Sequence, residues 1–304
     1  MSFDLYFAGS RGKVCDNWLY MNDCNRLYSQ LNNRSDIKRF CENATSSKSK
    51  LFIDSGAFSA HTKGAEVNVD DYIDYVNSLD NKVTIFAQVD KIPGTFGKAR
   101  TIQEIEEAPA MSWDNYLYMR ERLVSPDKCL PVFHQGEDFK WLDNMLEATF
   151  NGKHIPYIGI SPSNDLTVKR KETFIQECFK HIKNSSNPDV KTHAFGMTSL
   201  KVLERYPFYS ADSTTWLIIA AMGSVMTPWG TLYVSSREYS EDNVNCLPDK
   251  AKNVVIEYFD SLGFSMQDLS EKNESRALAN CMFLKKWAES YQYKPATTFK
   301  NKLF

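Results

Sequence analysis

The sequence predicts an α/β protein, a (β/α)8 TIM-type barrel with extra C-terminal helices. Three observations predict this class. Short apolar runs rich in β-type residues alternate with longer stretches whose apolar residues recur at intervals of three and four, the period of an amphipathic helix. Few polar residues alternate within the short runs, which is typical of parallel strands that helices cover on both faces. Eight such runs in 304 residues match the length of a single barrel.

Most of the predicted strands are separated by enough chain for a helix. In chain order the strands are LYFAGS (5–10), LFIDSG (51–56), VTIFAQVD (83–90), LPVFHQG (130–136), YIGISP (157–162), THAFGM (192–197), FYSADS (208–213) and TLYVSS (231–236). Amphipathic helices are predicted over VDDYIDYVNSL (69–79), DFKWLDNMLEATF (138–150) and ETFIQECFKHI (172–182).

An open, doubly wound sheet is the alternative architecture. No G-x-G-x-x-G follows the first run, and the glycines of AGSRGK (8–13) lack the spacing of a P-loop, so the barrel is favoured. From residue 246 onward the chain reads as helical. We therefore divide it into a catalytic barrel over residues 1–245 and a helical extension over residues 246–304 that packs on the barrel.

The composition is that of a globular protein, with 42% hydrophobic and 24% charged residues. The seven cysteines form no C-x-x-C pair and no cluster with metal-ligand spacing, so we expect free thiols and no metal site. The absence of a signal pattern and of a long apolar run predicts a cytoplasmic protein that does not span a membrane. A formal net charge of −2 restricts nucleic-acid contacts to local basic patches. The candidates, which are also typical of solvated surface, are 169–171 and Lys294 with Lys300 and Lys302.

Polar or glycine-bearing signatures stand at the ends of six predicted strands, where the loops of a barrel converge. A single Asp or Ser at such a position commonly caps the next helix or makes a turn. Six signatures, three of them with carboxylates, predict instead a catalytic site at this end of the barrel. They are Asp54-Ser55-Gly56, Asp90, His134-Gln135-Gly136, Gly159 with Ser161 and Ser163, Gly196, and Asp212-Ser213.

Three carboxylates at one barrel opening suit glycosyl transfer with retention of configuration. One carboxylate attacks the anomeric carbon, and a second donates a proton to the leaving group and accepts one from the incoming group. A third can accept N–H hydrogen bonds from a purine-like base. Glycines beside these carboxylates let a flat base approach the backbone closely.

Between residues 51 and 216, the motifs and their order resemble those of the tRNA-guanine transglycosylases and their DNA-modifying relatives, the DNA 7-deazaguanine transglycosylases. DSGAF (54–58) is similar to the family's DSGGF/Y segment, and PVFHQG (131–136) to its V-Q-G segment. YIGIS (157–161) is similar to G-G-L-A, and HAFGM (193–197) to L-M-G-V-G. SADSTTW (210–216) falls where the family has an Asp after a short apolar strand.

The resemblance implies a pentosyltransferase of (β/α)8 fold that exchanges a guanine in a nucleic acid for a 7-deazaguanine without a cofactor. By the same resemblance, Asp212 is the nucleophile that holds the ribosyl or deoxyribosyl group, and Asp54 is the general acid and base. Phe58 and Phe195 sandwich the base, with stacking worth about 1–3 kcal/mol, although ordinary core packing is the alternative for both. The residues implied in substrate binding are Ser55, Gly56, Phe58, Asp90, Gln135, Gly136, Gly159, Phe195 and Gly196.

Departures from the family pattern favour DNA over tRNA as the substrate. The family's zinc site, a cysteine cluster with a histidine in a C-terminal insertion, is not found. The segment after Asp212, STTWLIIAAMG, lacks an arginine where the tRNA enzymes are basic. Ala57 also stands where the family usually has glycine. We expect insertion of a preQ0-like 7-deazaguanine into DNA, as in an enzyme of a phage or genomic island.

Several alternatives stay open. They are the same exchange on tRNA, ribosyl transfer between a free nucleoside or ribose phosphate and a base, and an inactive barrel that binds nucleic acid or a partner. Retention of Asp54, Asp90 and Asp212 speaks against an inactive barrel. An aldolase or isomerase would call for phosphate-binding glycines or a Schiff-base lysine, and no predicted strand ends in lysine. A homodimer or an accessory protein is also open.

Overall fold

The structure, a computed structural model, describes residues 3–43, 48–163, 166–197, 199–236 and 243–299, so that Lys300 and Lys302 lie outside the described part. The strands are β1 (Asp4–Ala8), β2 (Asn25–Ser29), β3 (Leu51–Asp54), β4 (Ile85–Ala87), β5 (Cys129–Leu130), β6 (Val132–His134), β7 (Thr149–Phe150), β8 (Lys153–His154), β9 (Tyr157–Ser161), β10 (Lys191–Ala194), β11 (Ser210–Ser213), β12 (Ser224–Thr227) and β13 (Gly230–Tyr233).

The helices alternate with the strands over most of the described chain. They are α1 (Gly12–Met21), α2 (Arg34–Asn43), α3 (Ala57–Thr62), α4 (Val69–Ser78), α5 (Ile102–Arg122), α6 (Lys140–Glu147), α7 (Val168–Asn184), α8 (Leu200–Arg205), α9 (Thr215–Ala221), α10 (Asp249–Ser261), α11 (Met266–Glu271) and α12 (Asn273–Ser290). The three predicted helices are confirmed as α4, α6 and part of α7.

Side-chain caps fix where several of these helices begin. The Asn68 side chain accepts a hydrogen bond from the backbone N–H of Asp71 at the start of α4. Thr101 and Glu104 form a reciprocal capping box at the start of α5. Each cap satisfies backbone donors that the first turn of a helix leaves unpaired, so the chain leaves its loop at a defined residue.

Nine strands form one parallel sheet in the order β5-β4-β3-β2-β1-β11-β10-β9-β6. Its two ends, β5 and β6, are separated in the chain only by Pro131. Hydrogen bonds flank this residue on both sides, because Gln88 N donates to Leu130 O at 3.0 Å and Gly159 N donates to Pro131 O at 2.7 Å. The sheet therefore closes nearly on itself, and the predicted α/β protein with a parallel, barrel-shaped sheet is confirmed.

Two adjustments change which segments form this sheet. The prediction that TLYVSS (231–236) adds a parallel strand was wrong, because β13 pairs antiparallel with β12 in a separate hairpin. Its place is taken by β2, which pairs with β1 and β3. The NRLYS sequence of β2 carries a charged residue at a buried position, so its apolar pattern is weak.

Arg26 of β2 is buried against the helices because its charge is paired there. Its Nη2 lies 3.2 Å from Asp16 Oδ1 on α1 and donates to Gly9 O at 2.6 Å. Asp16 Oδ2 also accepts from Arg39 Nη2 on α2 at 2.8 Å and from the Ser10 hydroxyl. One carboxylate thus joins β2 to the first two helices.

Apolar side chains form separate clusters on the two faces of the sheet. The larger cluster lies between the sheet and the helices. The smaller one lines the inner face, and its members are Tyr6, Ala8, Leu27, Phe52, Ile85, Ala87, Leu130 and Val132, with Tyr157 and Phe195 packed against them. The inner face is thus filled by side chains and is not an open channel, as in barrels of this size.

Most of the helical segment after residue 246 packs against the sheet and the hairpin. Helix α12 contacts α1, α9 and β1, and α10 and α11 share an apolar cluster with the β12–β13 hairpin. Asn280 joins these parts, because its Oδ1 accepts from Met226 N at 2.7 Å and its Nδ2 donates to Trp216 O at 3.2 Å. Among the described residues, no helix has the length and apolar character needed to cross a membrane.

The buried carboxylate of Asp16 provides a test of the sheet–helix junction. We expect Asp16→Asn to lower the free energy of unfolding by about 3 kcal/mol, because it leaves the buried Arg26 charge without its counter-ion. Glu42→Gln is the control, since it breaks an exposed 4.0 Å pair with Lys38 and should cost less than about 1 kcal/mol. Urea denaturation of both variants measures the difference. Equal losses would show that Asp16 contributes no more than a surface charge.

Candidate active site

A cavity of about 270 Å³ opens at the carboxyl ends of β3, β4, β6, β9 and β10. Its lining combines acidic, imidazole and aromatic side chains with apolar walls. The lining residues are Asp54, Ser55, Ala57, Phe58, Ala87, Asp90, Ile92, Val132, His134, Ser161, Pro162, Phe195 and Gly196. An apolar pocket with a few converging polar groups at this edge of a parallel sheet is the usual form of a ligand site.

Asp54 ends β3 and is held by the turn that follows it. Its Oδ2 accepts the backbone N–H of Gly56 at 3.0 Å. Gly56 has a φ of +83°, and a Cβ there would lie 2.7 Å from Leu31 Cβ, so the tight turn needs glycine. Burial raises the pKa of Asp54 from 3.8 to about 6, with Asp90 and Asp212 adding to the rise and the Gly56 N–H opposing it. Such a carboxyl can give and take a proton near neutral pH.

Asp212 lies in β11, which is separated from β3 in the sheet by β1 and β2. Its Oδ1 accepts the backbone N–H of Gly196 at 2.8 Å, and His193 Nε2 lies 3.4 Å from the same oxygen. Asp212 is 8% exposed, so it is nearly withdrawn from solvent. Asp212 is not among the residues that line the cavity, but Gly196 is, and the charge of Asp212 contributes to the raised pKa of Asp54.

Asp90 is held by a network on the other wall of the cavity. Its Oδ1 accepts from Gln88 Nε2 at 2.7 Å, and its Oδ2 lies 3.4 Å from His134 Nε2. The other ring nitrogen of His134 lies 3.1 Å from Glu137 Oε1. Burial lowers the pKa of His134, but Asp90 and Glu137 outweigh it and raise the pKa to about 10. His134 is therefore a cation between two acids at neutral pH.

The two phenylalanines differ in setting although both line the cavity. Phe58 is 63% exposed at the opening, whereas Phe195 packs on the inner apolar cluster against Phe52 and His193. Gly159 makes room for the second ring, because a Cβ there would lie 2.5 Å from Phe195 Cε2. Gly159 thus shapes the wall behind Phe195.

Two of the predicted site residues point elsewhere. Gln135 donates through Nε2 to Arg170 O and accepts from Ser163 N, both at 3.1 Å, so its side chain fastens the loop before α7. Gly136, with a φ of +109°, lies in the turn after β6 and does not line the cavity. Ser55 does line it and is 1% exposed, with its Oγ 3.4 Å from Ala57 N.

Four functional candidates had no role assigned to them from the sequence, although His134 and Ser161 were named in the strand-end signatures. His134 and Ser161 line the cavity, Glu137 holds His134, and His193 approaches Asp212. The alternation of side chains along a strand was the signal that could have indicated which of these residues face the cavity. Val132 and His134 share the inner face, so the next residue, Gln135, has to point away from it.

Neither protein-family models nor curated protein sequences give a match to this chain. Any functional assignment therefore depends on the geometry of the site.

The raised pKa of Asp54 predicts a pH-dependent gain in stability when its charge is removed. We expect Asp54→Asn to raise the free energy of unfolding at pH 8 by at most about 3 kcal/mol, the cost of ionising a carboxyl whose pKa has risen from 3.8 to about 6. The gain should disappear towards pH 4, where the folded protein holds Asp54 protonated. Urea denaturation across this range measures it, with exposed Asp260→Asn as the control. A gain independent of pH would contradict the raised pKa of Asp54.

The close approach of Gly159 to Phe195 predicts a steric coupling between them. We expect Gly159→Ala to destabilise the fold by about 1–3 kcal/mol, because the added methyl meets Phe195 and Leu130 below 3.0 Å. Phe195→Leu removes the ring that lies nearest to the added methyl group. The double variant should therefore lose less stability than the sum of the losses in the two single variants. Thermal or urea unfolding of wild type, the two single variants and the double variant gives the free energies of this double-mutant cycle. Additive losses would show that the ring does not need the glycine.

Proposed function

We propose that this chain is a base-exchanging transglycosylase, which replaces a guanine in DNA with a 7-deazaguanine through a covalent glycosyl-aspartate intermediate. The observation that carries the proposal is the pair Asp54 and Asp212. The two carboxylates come from different strands of the same sheet, and each accepts a backbone N–H from a glycine. The charge of Asp212 also contributes to the raised pKa of Asp54. Retaining glycosyl transfer needs such a pair, one as nucleophile and one as acid and base.

A (β/α)8 architecture supports this assignment. When β5, Pro131 and β6 are counted as one strand, the sheet has eight parallel strands, and the site stands at their carboxyl ends. Enzymes with this fold carry their catalytic residues at that end, on several different strands. The distribution of Asp54, Asp90 and Asp212 over three strand ends fits this rule.

The proposed reaction has two balanced steps. In the first, Asp212 attacks C1′ of the target nucleotide, the C1′–N9 bond breaks, and the departing guanine takes the proton of Asp54. In the second, N9 of the 7-deazaguanine attacks C1′, its proton passes to Asp54, and the bond to Asp212 breaks. Because Asp54 has a pKa of about 6, it can be acid in one step and base in the other.

The cavity walls support a flat, hydrogen-bonding base as the group that is exchanged. Phe58 and Phe195 offer aromatic faces or edges, and Asp90 offers a carboxylate kept in place by Gln88 and His134. A carboxylate in this position accepts N–H groups of a guanine-type base and rejects bases that present a carbonyl there.

The substrate nucleotide has to leave its stack to enter such a cavity, which costs a few kcal/mol. The exposed residues Lys169 and Arg170 lie in the first turn of α7, and the carbonyl of Arg170 is tied to Gln135 beside the site. Exposed positive charges on this turn of α7 support contact with the phosphates of a nucleic acid.

Base exchange with labelled guanine tests the proposal. Duplex DNA, single-stranded DNA, bulk tRNA and free guanosine are incubated separately with wild type, Asp212→Asn and the surface control Asp260→Asn. We expect label in DNA with wild type and the control, and a protein–DNA adduct that survives denaturing electrophoresis. Asp212→Asn should lose both signals, because an amide cannot replace the nucleophilic carboxylate.

The outcomes separate the alternatives. An active Asp212→Asn protein would overturn the mechanism. Label in tRNA or guanosine alone would overturn DNA as the substrate and keep the exchange chemistry. Label nowhere, with nucleic acid still bound, would favour a barrel that only binds.

A further inference from the structure

A column of polar side chains runs through the interior of the barrel below Asp212. Tyr157 begins β9, Ser210 begins β11, and His193 lies on β10 between them and the site. The Tyr157 hydroxyl bonds to Ser210 Oγ, which lies 2.5 Å from His193 Nδ1. His193 Nε2 then lies 3.4 Å from Asp212 Oδ1. The interior column, Tyr157–Ser210–His193, thus ends on one oxygen of the carboxylate.

The protonation state of each member follows from burial. His193 has no exposed surface, and burial lowers its pKa although Asp212 and Asp4 oppose the change, so the ring is neutral and carries a single N–H. Burial raises the pKa of Tyr157 well above its usual value, with smaller contributions from Tyr6, Asp4 and Tyr209, so its hydroxyl keeps its proton. Every proton of the column is therefore available for a hydrogen bond within it.

Only one direction of donation suits a carboxylate at the end. Tyr157 donates to Ser210, Ser210 donates to His193 Nδ1, and His193 donates from Nε2 to Asp212. The opposite direction would place the Nε2 lone pair against Asp212 in an apolar interior, which costs free energy. Among the described residues, His193 Nε2 is buried without a formed hydrogen bond, and Asp212 Oδ1 lies 3.4 Å from it.

We propose that His193 is a positioning residue for Asp212, held by Ser210 and Tyr157 as the neutral tautomer that carries its proton on Nε2. This inference rests on the proposed function in taking Asp212 as the nucleophile. The separation of 3.4 Å is long for a hydrogen bond, as catalytic hydrogen bonds often are before substrate binds.

The column selects which oxygen of Asp212 reacts. Gly196 N and His193 Nε2 both approach Oδ1, whereas Oδ2 has no hydrogen-bond donor among the described residues. Oδ2 is therefore the attacking atom, and Oδ1 becomes the carbonyl oxygen of the glycosyl ester. The two N–H groups then polarise that carbonyl and favour departure of the carboxylate in the second step.

Nitrogen NMR of the His193 ring tests the tautomer without any assumption about the reaction. The chain has five histidines, so the signals of His193 are assigned by their loss in His193→Phe. We expect wild type to show a neutral ring protonated on Nε2, and Ser210→Ala to lose this single tautomer. A ring protonated on Nδ1 alone, or on both nitrogens, in wild type overturns the inference even when base exchange is observed.

Rates of adduct formation test the positioning role. We expect His193→Phe to slow formation of the protein–DNA adduct by about 100-fold, because the nucleophile loses its orientation. His193→Gln, whose amide can donate from the same place, should recover it to within about 10-fold of wild type. Melting temperatures of both variants control for loss of structure. Equal slowing in both variants at equal stability overturns the positioning role.

The two failures are distinguishable. If no base exchange occurs but the ring carries its proton on Nε2, the proposed function fails and the direction of the column stands. If exchange occurs with the Nδ1 tautomer, the proposed function stands and the column does not position Asp212.

Discussion

The near-closure of the parallel sheet at Pro131 is the constraint on which the site depends. Proline has no backbone N–H, so residue 131 can only accept, and it accepts from Gly159 while Leu130 accepts from Gln88. These bonds bring the two ends of the strand order together. As a result, Asp90 after β4 and His134 on β6 stand on one wall, and the carboxyl ends of β3 and β10 complete the same cavity. In an open sheet these groups would lie along one edge, too far apart to enclose a ligand.

The three acids are chemically similar but lie in different surroundings. Asp54 is largely desolvated and receives one N–H, so its charged form is disfavoured. Asp90 accepts from the Gln88 amide and lies 3.4 Å from the His134 ring. Asp212 accepts from Gly196 and faces a neutral imidazole. Divergent environments of this kind let carboxylates in one site take different roles.

Much of the fold could be predicted from the sequence, because seven of the eight predicted β-runs contain strands of the main sheet. The eighth could not. The apolar residues of TLYVSS suit a hairpin as well as a barrel strand, and periodicity alone does not say which strand pairs with which. The strand β2 was missed, because Arg26 breaks its apolar pattern and the partner of Arg26, Asp16, lies ten residues away in sequence. A buried ion pair between neighbouring elements leaves no period to detect.

The candidate site was predictable to a similar extent. Asp54, Asp90 and Phe195 could be placed at strand ends from sequence and do line one cavity, with Asp212 beside it. It was harder to predict which of Gln135 and His134 faces the cavity, because a shift of one residue along a strand exchanges the inner and outer faces. The hydrogen bonds of Gln135 to Ser163 and Arg170 show that its side chain serves the loop. The partners of His193 depend on three strands and could not be derived from any single motif.

The position of α12 bears on how the protein folds during synthesis. This helix covers α1 and β1, yet some 270 residues separate it from the first strand. At a synthesis rate of about 5–20 residues per second, α12 is made on the order of tens of seconds after β1 and α1. Contacts between such distant segments close large loops and slow folding. The apolar surface around Cys15 and Leu19, which the finished fold buries, therefore lacks its α12 contacts on the nascent chain until that helix is made.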